Sequence, residues 1–96
     1  MKQFELKIGT KEIPLAQLKI HENDYDKMNY EQVTTCINHF LKFNDVNGAV
    51  SLTSKQVYRD ITINDNSKIR MSTKDEFVTI TYIKREDNYI IEEIKD

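Results

Sequence analysis

Cys36 and His39 stand three positions apart, and on a helix that spacing sets their side chains one turn apart on neighbouring faces. An imidazole that takes the thiol proton would make Cys36 a nucleophile. The pair could also ligate a metal, but structural zinc needs four ligands and the chain holds a single Cys. Cys36 falls on an apolar stripe between Val33 and Phe40, where a thiol serves as a small hydrophobe. That plainer reading is preferred, and His39 then flanks the stripe.

His21, Glu22, Asp24 and Asp26 gather oxygen and nitrogen donors within six positions. A calcium loop opening at Asp24 would require Gly at position 29 and Glu at position 35, where the chain has Asn29 and Thr35. The two glycines, Gly9 and Gly48, cannot build a phosphate-cradling loop. None of Ser51, Ser54, Ser67 and Ser72 sits in a nucleophile-elbow context. Glu92 and Glu93 are adjacent, so on a strand they point to opposite faces and cannot act as an acid–base pair. No catalytic residue, metal ligand set or cofactor is therefore expected.

The composition agrees. The chain has 96 residues, 14 basic against 16 acidic side chains and a net charge of −2. A phosphate-binding footprint is normally strongly basic, and here the charges are balanced along the whole length. A nucleic-acid reader remains the rival class, using Lys55, Gln56 and Arg59 on a short helix, or Lys68, Arg70, Lys84 and Arg85 on a sheet face. One Cys and no apolar run of bilayer length point to a cytosolic protein without a membrane span. Lys outnumbers Arg 11 to 3, and 12 Ile and 8 Asn stand against 2 Ala. That bias suits AT-rich coding DNA, as in low-GC bacteria, their phages and plasmids.

The elements that must carry these residues read as one α+β domain over 1–96. Phe4, Leu6 and Ile8 alternate with polar residues, the period-2 pattern of a half-buried strand. Gly9-Thr10-Lys11 then reads as a turn into a second strand through Ile13 and Ile20, with Pro14 confining that strand to an edge. A helical turn opening at Pro14 is the alternative. Residues 21–27 form a polar, acidic connection. Asn29 and Gln32 have capping-box form ahead of Val33, Ile37, Phe40 and Leu41, so a helix is predicted from about Tyr30 to Phe43. Val, Ile, Thr and Tyr dominate the second half, broken by turn-forming residues at 64–67, 73–75 and 85–88. Residues 53–61 suit either a short helix or a strand. The expected order is β-β-α-β-β-β-β, a single helix on an antiparallel sheet.

The function expected of such a chain is contact with another protein, as an inhibitor, adaptor or regulator, one version being an anti-defence inhibitor. The first candidate surface is the acidic segment Glu22, Asp24, Tyr25, Asp26 and Tyr30, which would offer carboxylates and exposed rings to a basic partner. The second is a sheet edge, at the Pro14 strand or at Tyr89–Ile94, where two copies could pair. Ile90, Ile91 and Ile94 place apolar surface on both faces of that last strand, so one face needs a cover.

Overall fold

A computed structural model describes residues 2–94. The order is β1 (Gln3–His21), α1 (Glu22–Asp26), α2 (Tyr30–Phe43), β2 (Arg59–Asn64), β3 (Ser67–Lys74) and β4 (Phe77–Ile94). The strands form one antiparallel sheet in the order β1-β4-β3-β2. The fold is α+β, as the sequence predicts, with two helices rather than one and four strands rather than six.

Helix α2 follows its predicted bounds. The Asn29 side chain accepts from the Gln32 N–H at 2.8 Å while Gln32 Oε1 accepts from the Asn29 N–H at 2.9 Å. These bonds satisfy two donors that a helix start leaves open. At the other end Asn44 caps the helix and Asp45 takes a left-handed φ of 56°. The stripe Val33, Ile37 and Leu41 is fully buried. It packs in one core with Ile69, Met71, Val78 and Ile80 from the sheet, and Leu18, Ile20, Phe40 and Tyr82 close its sides.

Two segments between the helix and β2 are held by side chains. Asn38 Nδ2 donates to the Val50 carbonyl at 3.0 Å and Asn38 Oδ1 accepts from the Val50 N–H at 2.9 Å. The Leu52 N–H donates to Thr34 Oγ1 at 3.2 Å. Together they lay Val50 and Leu52 into the core without any strand pairing. Residues 53–58 are neither helix nor strand, and Tyr58 enters β2 at a φ of 60°. The capping-box form of Thr53–Gln56 is thus not used.

The largest departure from expectation lies in the two long strands. No hairpin turn forms at Gly9: β1 runs unbroken for 19 residues, and β4 continues through 85–88 for 18 residues. The physical reason is that the two polar interruptions oppose each other. Gly9 pairs with Asn88, Thr10 with Asp87, Lys11 with Glu86 and Glu12 with Arg85. Opposite charges across a strand pair favour the ladder, and Thr10 Oγ1 donates to Asp87 at 3.1 Å. Each interruption becomes a rung for the other.

Pro14 does lie on an edge strand, as expected, beside a bulge. Pro14 opposes Ile83 and Ala16 opposes Tyr82, leaving Leu15 as the extra residue. A bulge reverses the alternation of the strand that contains it. Leu18 and Ile20 therefore turn toward the helix. Phe4, Leu6 and Ile8, of the same parity in sequence, turn to the opposite face.

Candidate interaction surface

The β3–β4 ladder ends at Lys84. Beyond it the β1–β4 pair continues alone, from Glu12 opposite Arg85 to Gln3 opposite Ile94. This two-stranded arm, ten residues per strand, projects from the head and stretches the molecule to 66 Å against 28 and 21 Å across. In antiparallel pairs, directly opposed side chains share a face. The rungs Phe4–Glu93, Leu6–Ile91 and Ile8–Tyr89 lie on the face continuous with Ile83, away from the helix. The rungs Gln3–Ile94, Glu5–Glu92 and Lys7–Ile90 lie on the other.

The two faces differ in chemistry. On the helix-side face Lys7 meets Glu92 at 2.9 Å, and Ile90 folds over Gly9, where an added Cβ would stand 2.7 Å from Ile90 Cδ1. On the opposite face Phe4, Leu6, Ile8, Tyr89 and Ile91 form an unbroken apolar stripe, each between 62% and 73% exposed. Scattered apolar residues on a surface are ordinary, but a contiguous patch marks an interaction site. A two-stranded ribbon is at best marginally stable alone in water.

The first candidate surface of the sequence is arranged otherwise. Residues 22–26 are the short helix α1, begun by His21 Nδ1 accepting from the Asn23 N–H at 3.2 Å. Glu22, Asp24 and Asp26 are exposed, and Tyr30 is 43% exposed. Tyr25, expected to offer its ring to a partner, is instead only 5% exposed and belongs to the core. Its hydroxyl donates to the Lys55 carbonyl at 2.7 Å, Lys55 Nζ donates to the Tyr25 carbonyl at 2.6 Å, and the ammonium sits 4.7 Å from the ring centre. Burial pushes the Tyr25 phenol up from its ordinary value. The segment therefore keeps its carboxylates and Tyr30 at the surface but loses Tyr25, one of its two aromatics.

Cys36 is half-buried and, with His39, lines a shallow hollow on the solvent side of α2 beside Gln32 and Thr35. His21 stacks edge-on against Phe77 with ring centres 5.5 Å apart, and its Nε2 lies 3.3 Å from Glu76 Oε2. Among the described residues no three His, Cys, Asp or Glu side chains converge as metal ligands do.

Of the basic residues proposed for nucleic acid, Lys68, Arg70 and Arg85 lie on the sheet face away from the helix, where carboxylates engage them, and Lys84 lies on the other face. Lys68 Nζ lies 2.7 Å from Glu12 and 3.1 Å from Asp60, and Arg70 grips both Asp60 oxygens at 2.9 and 3.1 Å. Hydrogen bonding from Arg70 and then Lys68 outweighs burial and holds the Asp60 carboxyl down at about 2. Lys68 likewise lowers Glu12, while Glu12 raises Lys68 and Asp60 raises Arg70. The cluster is internally neutral, as is Arg85 with Asp87 at 3.3 Å.

No family model, curated protein or solved structure matches this chain. No helix among the described residues is long and apolar enough to cross a membrane.

Sequence reasoning marked Tyr89–Ile94 as a strand needing a cover, yet it placed Phe4, Leu6 and Ile8 in a half-buried strand of the core sheet. The signal is that they share a face with Tyr89 and Ile91 through a pairing that only the fold supplies.

Proposed function

We propose that the chain is a non-catalytic interaction domain, in which a packed head holds out the arm as its contact surface. The observation that carries this reading is the exposed stripe of Phe4, Leu6, Ile8, Tyr89 and Ile91 on an arm that no other described strand or helix flanks. Roles as an inhibitor, adaptor or regulator all work through such a contact, and the acidic surface of α1 is a secondary element of it. Lys68, Arg70 and Arg85 on the open sheet face favour a protein over nucleic acid, because Glu12, Asp60 and Asp87 already engage them.

The test is the double variant Leu6→Asp plus Ile91→Asp. Both residues lie outside the core cluster, so the head should keep its circular dichroism and its thermal transition. Association of the purified protein, with itself or with a co-purifying protein, should be lost. Association undiminished in that variant would refute the arm as the contact surface.

A further inference from the structure

Resting on that reading, we infer that the occupant of the arm's apolar face is a second copy of this chain, packed face to face and running antiparallel about a two-fold axis at the Leu6–Ile91 rung. The register makes this arrangement self-complementary. With the axis across the ribbon, Leu6 meets Leu6, Ile91 meets Ile91, and Phe4 meets Ile8 of the second copy. Glu93 comes level with the Tyr89 hydroxyl of the second copy, a donor that suits a carboxylate. Lys2, just before β1, comes level with Thr10 of the second copy, beyond the apolar stripe. Packing the two arms with their tips together would instead press Glu93 against Phe4. The antiparallel arrangement sets the carboxylate of this face against a hydroxyl, where the alternative sets it against a phenyl ring.

Edge pairing does not solve the same problem. Two arms joined by a strand edge about a two-fold normal to the sheet keep their apolar faces on the same side, doubling the exposed patch. The edge N–H and C=O groups can bond to water, whereas the apolar face cannot. Covering the face is therefore the stronger demand.

The area is sufficient for a reversible dimer and no more. At their observed exposure the five side chains of two copies would bury roughly 1,000 Å². That lies at the threshold of a specific interface, below the ~1,200–2,000 Å² of stable complexes. Sulfate, which strengthens apolar burial, should favour the dimer, in contrast to any contact made by the acidic residues of α1.

The experiment is sedimentation equilibrium of the full chain from micromolar to near-millimolar concentration, combined with thiol cross-linking in a Cys36→Ser background. Wild type should pass reversibly from monomer to dimer, and Leu6→Asp should shift that midpoint at least tenfold upward. Leu6→Cys, beside the axis, should be joined into a covalent dimer by a short bismaleimide, and Lys7→Cys, on the other face of the same strand, should not. A wild type that stays monomeric throughout overturns the second copy as occupant. The arm as a contact surface survives that result if Leu6→Asp plus Ile91→Asp still abolishes binding of a different protein. A dimer joined through Lys7→Cys rather than Leu6→Cys overturns the face-to-face geometry.

Discussion

Asn38 ties the segment after the helix to the core, and its removal gives a well-defined expectation. Its amide donates to the Val50 carbonyl at 3.0 Å and accepts from the Val50 N–H at 2.9 Å, standing in for the strand that this segment lacks. Val50 is 5% exposed, so water does not easily replace the lost partner. Leaving a buried donor or acceptor unpaired costs ~1–3 kcal/mol. With two groups orphaned and some relaxation toward solvent, Asn38→Ala should lose about 2–4 kcal/mol. For a domain of this size that is a fall of roughly 10–25 °C in Tm. Asn38→Asp keeps the shape and the acceptor but turns a carboxylate oxygen toward the Val50 carbonyl. It should therefore destabilise at neutral pH at least as much as Ala does, which separates hydrogen bonding from packing. Urea denaturation followed by far-ultraviolet circular dichroism measures both, and amide exchange at Val50 and Leu52 should quicken ahead of the sheet. If both variants lose less than about 0.5 kcal/mol, surface changes being worth that much, the clamp does not stabilise the fold.

Other expectations can be checked together. Ile37→Ala, at a position with no exposure, should cost ~2–5 kcal/mol in the same denaturation experiment, with α2 retained. Asp60 is ionised more readily when folded, at about 2 against an ordinary 3.8, so its contribution is present above the ordinary value and is lost as pH falls toward 2. Its side chain is 39% exposed, which limits the effect to about 1 kcal/mol. The stability gap between wild type and Asp60→Asn should close over that window, and a gap unchanged there would contradict the Arg70–Lys68 grip. Glu22→Lys, Asp24→Lys and Asp26→Lys together should weaken association at most modestly in a salt titration, since the acidic surface of α1 lies in the head and is secondary to the arm. A strong loss would return the acidic surface to first place. Tyr25→Phe removes one hydroxyl bond to Lys55 and should cost about 1 kcal/mol without altering association.

What the amino-acid sequence determines here is local. Asn29 and Gln32 close a capping box by contacts three residues apart, and the stripe through Val33, Ile37 and Leu41 follows from the helical period alone. Asn64 to Ser67 turn because Asn and Asp tolerate turn backbones and bond to their own chain, as Asn64 Oδ1 does to the Asn66 N–H at 2.9 Å. These features need no distant partner, so the types and spacing of a few residues suffice.

Tertiary structure decides whatever depends on a distant strand. Gly9-Thr10-Lys11 and Arg85–Asn88 each have turn chemistry, and each stays extended because the other lies across from it and pairs with its backbone, with Thr10 donating to Asp87. Tyr25 sits among acidic neighbours and is nevertheless drawn inward by Lys55, thirty positions away. Leu15, one unpaired residue opposite the junction of Tyr82 and Ile83, turns the even positions before it to the outer face and those after it to the core. The arm and its apolar stripe arise from that bulge and from the pairing of the two chain ends. Strand pairing is a long-range contact whose register no local propensity encodes, which is why the surface became legible only when β1 and β4 were laid side by side.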